Sequence, residues 1–216
     1  FTHAHSQPIC TPSRVQLMTG IYNNRNYLKF GVLDPASTTF AHLMKKAGYA
    51  TCIAGKWQLG RDRKLPGHFG FDEYCLWWLE NKSPRYGNVG ELIQNGKVLP
   101  GGKGEYGPDL VSDFICEFIE RKKDAPFFVY YPMILPHWPF EPTPDSPDYD
   151  NPAKGGKGQG SPKYFKGMVS YTDKLVGKLV DKLESLGLRE KTLVIFTGDN
   201  GTYVKIVSNI GVNLSR

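Results

Sequence analysis

Near its start the chain reads Cys10-Thr11-Pro12-Ser13-Arg14, a thiol just ahead of a helix start with an arginine one turn further on. Thr11 suits the N-cap, Pro12 suits the first helical position because its missing N–H would go unbonded anyway, and Gly20 can close the helix in a left-handed conformation. Leu17 and Met18 fall where a buried stripe is expected. A cysteine at the positive end of a helix, with a guanidinium close by, is biased toward thiolate, and the same place attracts an anion. Residue types alone also allow a plain buried cysteine beside a solvated arginine.

Three further groups follow short apolar runs. Lys56, Trp57 and Gln58 come after "YATCIAG", His137 lies in "PMILPHWPF" after "PFFVYY", and Asp199 and Asn200 come after "TLVIFT". Each alone reads as a loop lysine, a packed ring or a turn. In open α/β sheets, however, ligands bind beyond the carboxyl ends of the strands, so all of these converge on one edge if the runs are parallel strands. Asp and Asn are hard oxygen donors suited to Ca²⁺ or Mg²⁺, and Lys, Arg and His suit the oxygens of a sulfate or phosphate ester.

The elements that would position them repeat a pattern of helix followed by strand. Ser37 and Thr38 can cap a helix with Phe40, Leu43, Met44 and Ala47 on one face, ended by Gly48 before the first run. "DLVSDFICEFIERKKD" leads to "PFFVYY", and a long stripe from Phe165 to Leu186 leads to "TLVIFT", expected as a fully buried strand. This predicts an α/β fold with a largely parallel sheet flanked by helices. Residues 61–105 read as a peripheral insertion built around the Asn-Gly hairpin "ELIQNGKVL", and 141–162 as a long surface loop rich in Pro, Gly and Asp.

With 216 residues, 40% of them hydrophobic, the chain can bury one sizeable core. The net charge of +6 is spread along the sequence, which favours an anionic small group or polyanion over nucleic acid. Four cysteines at positions 10, 52, 75 and 116 form no CxxC pair, which disfavours zinc and a disulfide framework. No apolar stretch approaches membrane-spanning length. The chain opens on Phe1 inside what reads as a loop, and it is read as a piece of a longer protein.

Cys10, Pro12, Ser13, Arg14, Leu17, Thr19 and Gly20 match CxPSRxxLxTG, and "GYATCIAGKWQLG", "PHWPF" and "SYTDKLVGKLVDKLESLGLREKTLVIFTGDNG" follow in order. In these motifs the chain resembles the sulfatases, within the alkaline-phosphatase-like hydrolases. The resemblance implies that a formylglycine-generating enzyme converts Cys10 to formylglycine, whose hydrate attacks sulfur with one hydroxyl and expels sulfate by elimination from the other. It implies Cys10 as nucleophile and metal ligand, and Arg14 as orienting the diol. Lys56 and His137 would be both catalytic and substrate-binding, with His137 as general acid. Asp199 and Asn200 would bind Ca²⁺, with Mg²⁺ as the alternative. Asp173 falls on a further landmark and is read as structural.

Gln58 stands where many sulfatases carry a histidine; it can bind the substrate or the diol but cannot take a proton. The paired metal-binding aspartates of the family lie on a strand upstream of the signature, before Phe1, and Lys205 lies too close to Asn200 to replace a later substrate-binding lysine. Sulfated carbohydrate is the expected substrate, with Trp57, Trp138 and Phe140 as stacking surfaces. An exported location, periplasmic, extracellular or lysosomal, is expected from the family. The alternatives are a phosphonate or phosphate monoester hydrolase of the same superfamily, and a non-catalytic piece that binds sulfated glycans.

Overall fold

Among the described residues five strands, β1 (Ala50–Lys56), β2 (Glu73–Trp77), β3 (Glu91–Gln94), β4 (Lys97–Pro100) and β5 (Phe127–Tyr130), form one sheet in the order β4-β3-β2-β1-β5. The computed structural model describes residues 5–77, 79–80, 84–87, 89–101, 104–149, 160–203 and 206. Helices α1 (Cys10–Thr19), α2 (Asn23–Asn26), α3 (Phe40–Lys46), α4 (Leu65–His68), α5 (Gly107–Lys122) and α6 (Phe165–Ser185) complete the fold. β1 is parallel to both β2 and β5, while β2–β3 and β3–β4 are antiparallel. The sheet is therefore mixed.

β1 reads as a continuous apolar run because both its faces are covered. Side chains alternate across a strand, so Cys52 and Ala54 join the core with Phe114, Ile115 and Phe118 of α5 and with Met168 of α6. Ile53 joins the opposite core, with Val15 and Met18 of α1 and Ala41 of α3. The result is three layers with the sheet in the middle. The second expected unit forms as read, with α5 leading into β5. Exposed ion pairs between α5 and α6, such as Lys178–Asp113 at 2.7 Å and Lys182–Glu120 at 2.9 Å, add little beside that packing.

Several expectations change. The N-cap of α1 is Ile9, without a side-chain cap, and the Thr11 hydroxyl instead accepts a hydrogen bond from the Gly31 N–H. Gly20 does end the helix in the left-handed region, at φ 68°. Leu17 is exposed, because Val15 and Met18 are the residues turned to the sheet. For α3 the cap is Thr39, whose side chain and that of His42 form a reciprocal capping box. The buried residue of that helix is Ala41, and Leu43 and Ala47 lie in solvent.

The segment "TLVIFT" is not a strand: Leu193 is 85% and Phe196 70% exposed, and no described strand pairs with it. A buried strand needs neighbours for its ladder bonds, and apolar composition reports the tendency without supplying the neighbour. Residues 61–105 do carry the Asn-Gly hairpin, β3 and β4, at a sheet edge, but they also supply β2, which lies in the middle of the sheet. The 141–162 loop has no helix or strand over its described residues up to Ser161, and residues 150–159 lie outside the description, as does Lys205.

Candidate active site

The carboxyl ends of three parallel strands, β1, β2 and β5, lie on one edge of the sheet. β1 delivers Lys56, then Trp57 and Gln58. Gly55 makes this possible: its φ is 123°, and a Cβ there would come within 2.2 Å of the Pro132 carbonyl oxygen, which accepts the Lys56 N–H at 2.9 Å. Gln58 has φ 52°, a left-handed conformation uncommon for a non-glycine residue, and is 5% exposed.

α1 brings Cys10 against this strand end. The Cys10 Sγ donates to Gln58 Oε1 at 3.3 Å, and the Lys56 ammonium is close enough to the same sulfur to interact with it electrostatically. Lys56 is 5% exposed, and burial is the main influence lowering its pKa, joined by the charges of Arg14 and Arg85 and opposed by Cys10. Arg14, 2% exposed, bonds the Trp57 carbonyl through Nη1 and the Lys56 carbonyl through Nη2 at 2.6 Å. Its buried Nε has no partner among the described residues. Arg14 therefore fastens the start of α1 to the end of β1, with a cation buried behind the thiol.

His137 stands on the segment after β5, between two cis X-Pro bonds. The buried Tyr86 fixes its backbone: the Tyr86 hydroxyl donates to the His137 carbonyl at 2.7 Å and accepts the His137 N–H at 3.2 Å. His137 as a whole residue is exposed, yet desolvation, then the charges of Lys56 and Arg85, hold its pKa down to about 4, opposed by the Trp138 carbonyl and Asp199. At neutral pH the imidazole is uncharged. Its Nδ1 lies 2.9 Å from Arg85 Nη1 and 2.5 Å from the Trp138 carbonyl oxygen. A neutral ring nitrogen serves one of these at a time, accepting from Arg85 or donating to Trp138.

Arg85 and Tyr86, at the carboxyl side of β2, were missed by sequence reasoning, because the stretch holding them reads as a decoration. The signal was available: β2 is the apolar run "EYCLW", and a residue shortly after a parallel strand belongs at the same edge. Glu141 faces Arg85, and burial pushes its carboxyl up to about 7, opposed by the Arg85 charge. A raised carboxyl pKa makes a contribution to stability that is whole below the unfolded value of about 4.5 and is lost as pH rises through 7. Glu141→Gln is therefore expected to melt with a flatter dependence on pH between 4.5 and 7 than the parent, in thermal melts followed by circular dichroism.

Asp199 is exposed on the irregular segment after α6 and is close enough to act electrostatically on His137. Asn200 beside it donates to the Gly201 carbonyl at 3.1 Å. These two oxygen donors suit calcium or magnesium in kind, but calcium takes about six to eight. Among the described residues no three His, Cys, Asp or Glu side chains gather in a way that could hold a metal. The described residues by themselves thus do not make the expected cation site. Asp173 is exposed on α6.

Trp57 and Phe140 are wholly buried, Trp57 beside Phe69 and Phe140 between Trp138 and Phe165, so neither offers a face to a sugar. Trp138 is only partly buried. Two shallow grooves run between α5 and α6 and contain none of the candidate site residues.

All four cysteines are free. Cys52 and Cys75 are fully buried, and burial drives the Cys75 thiol up to about 12. Cys116 is nearly buried, and Cys10 is the most open of the four. Brief treatment of the unconverted native protein with iodoacetamide, read by peptide mapping, is expected to label Cys10 well ahead of the other three.

A family model, Sulfatase, matches residues 1–209. The chain belongs to the sulfatase family. It is 31% identical to human arylsulfatase A over 232 residues, covering 89% of this chain and 43% of the relative. Among solved structures it is similar to Ps i-CgsB, with a TM-score of 0.69 and 25% identity over 84% of this chain and 46% of that one. It is also similar to a protein solved with its substrate D-glucosamine-2-N,6-O-disulfate, with a TM-score of 0.53 and 26% identity over 64% of this chain and 27% of that one. The chain spans less than half the length of these relatives. These solved structures share its α/β architecture, so the fold class read from the sequence holds at that level.

Proposed function

We propose that this sulfatase chain carries the sulfate-binding half of a sulfuric ester hydrolase acting on sulfated carbohydrates, with Cys10 as the residue converted to formylglycine. The observation that supports it most is the setting of Cys10, between an amide oxygen and a buried ammonium at the start of a helix. One acceptor and one cationic donor suit the hydroxyls of an aldehyde hydrate at that position as well as they suit a thiol. When present, formylglycine supplies the hydroxyl nucleophile for sulfur.

The chain's own residues do the rest. Lys56, desolvated and held beside position 10, binds sulfate oxygens and offsets the negative charge that grows on them. Gln58 accepts a hydrogen bond at position 10 and fixes its direction; having no proton to exchange, it orients only. Arg14 holds the helix start in register with the strand end and adds fixed positive charge behind the site. His137, neutral with one N–H, contacts the ester and donates that N–H as a hydrogen bond to the departing oxygen. Asp199 and Asn200 are proposed as two donors toward calcium or magnesium. A sugar sulfate as substrate draws support from the relative solved with a disulfated glucosamine. The modifying partner is a formylglycine-generating enzyme reading the Cys10–Arg14 segment, and the proposed compartment is an exported one. No helix among the described residues is long and apolar enough to cross a membrane.

The test is a pair of rates. With Cys10 converted, the protein is expected to hydrolyse an aryl sulfate at least about tenfold faster than the matched aryl phosphonate, and Cys10→Ala to lose both activities. A faster phosphonate rate would replace this reading with that of a phosphonate hydrolase.

A further inference from the structure

Arg85 is a cation of this site to which no role has been given. Its guanidinium carbon lies 4.5 Å from the centroid of the Trp77 ring and 5.8 Å from that of Tyr86. Trp77 is fully buried and pairs with Lys56 across the β1–β2 ladder, so the guanidinium rests on a rigid floor next to the lysine strand. Nη1 lies 2.9 Å from His137 Nδ1. Arg85 also feels the charge of Cys10 and acts on Lys56, without a hydrogen bond to either among the described residues.

These positions separate the cations by task. Lys56 faces the Cys10 sulfur, and Arg14 is committed to two backbone carbonyls. Arg85 sits one side chain further out, beside His137, the group that faces the departing alcohol. Among the described residues its remaining N–H donors make no hydrogen bond. Among the described residues the carboxyl that faces it, Glu141, is itself pushed toward its neutral form by burial. A planar fork with open donors, backed by an indole, is built for a carboxylate or sulfate.

We propose that Arg85 binds a second anionic group, a sulfate or carboxylate carried by the sugar whose ester is cleaved, and so selects saccharides bearing two negative charges over those bearing one. This rests on the hydrolase reading above, because the side of the site assigned to the sugar is the side of His137.

The test measures binding by calorimetry in a Cys10→Ala background, where no turnover intervenes. The probes are glucosamine 2-N,6-O-disulfate and N-acetylglucosamine 6-O-sulfate. The parent is expected to bind the disulfate at least about tenfold more tightly, and Arg85→Ala to bring the two within about twofold, mainly by weakening the disulfate. Arg85→Gln, which keeps the packing stem over Trp77, is expected to do the same, and thermal melts confirm that either variant folds. A preference that survives both substitutions overturns the proposal, as does a parent that binds the two sugars alike or binds neither. Aryl sulfate turnover by the converted protein is read separately: its absence alongside an Arg85-dependent preference refutes the hydrolase reading and leaves the second-anion contact standing.

Discussion

Lys56→Ala is expected to lower kcat/KM for a sulfate ester by about 10²–10³-fold, the loss typical of removing one preorganised donor from developing negative charge. Lys56 is 5% exposed and interacts with the residue at position 10, so it sits where ester oxygens must lie if that residue attacks sulfur. Solvent cannot replace it well, because the burial that lowers its pKa also excludes water. The variant is expected to keep its fold: the substitution removes a charge that burial already disfavours, while the β1 ladder and the Arg14 bonds to the strand-end carbonyls remain. Steady-state kinetics on the converted protein, with a melting curve as control, gives the answer. Activity within tenfold of the parent in a folded variant would remove Lys56 from the account.

Gly55→Val is expected to give the largest loss of stability. A side chain at φ 123° is strained whatever its size, and here its Cβ would meet the Pro132 carbonyl oxygen at 2.2 Å. Strain of about 1–3 kcal/mol and overpacking of about 1–3 kcal/mol together suggest about 4 kcal/mol. For a chain of 216 residues that corresponds to a fall in melting temperature of about 8–16 °C. Because the Lys56 N–H bonds that same Pro132 oxygen, any backbone shift that relieves the clash also moves the lysine. Differential scanning calorimetry checks the first effect, and residual turnover the second. A variant that melts within 2 °C of the parent contradicts the close approach of β1 to the segment after β5.

What could be read from the sequence divides along physical lines. The start of α1, the β1 run ending at Lys56 and the α5–β5 unit were legible because each is specified locally, by Pro12 and Gly20, by a doubly covered apolar strand, and by a stripe followed by a turn. The caps moved by a residue or two because several neighbouring side chains suit the same position, as with Thr38 and Thr39. "TLVIFT" misled because an apolar run reports a wish to be buried and says nothing of which strand will pair with it. Arg85 was illegible for the opposite reason: its place depends on β2 entering the middle of the sheet, a long-range pairing between Cys52–Lys56 and Glu73–Trp77. The inner group of the site, Cys10, Arg14, Lys56 and Gln58, came together as read, but what Arg14 bonds was not foreseen, since a buried guanidinium spent on backbone carbonyls leaves no local signature. Among the described residues Asp199 acts on His137 through its charge, and Asn200 makes its hydrogen bond to the Gly201 carbonyl.

The central claim is that position 10 acts as an aldehyde hydrate and not as a thiol. Its most direct test is the mass of the peptide containing Cys10, after co-expression with a formylglycine-generating enzyme, measured on the same sample as its sulfate ester turnover. The account predicts that the aldehyde or its hydrate replaces the thiol at position 10 and that turnover rises in proportion to the converted fraction. An unmodified thiol in fully active protein, or full conversion with no turnover of any sulfate ester, contradicts it.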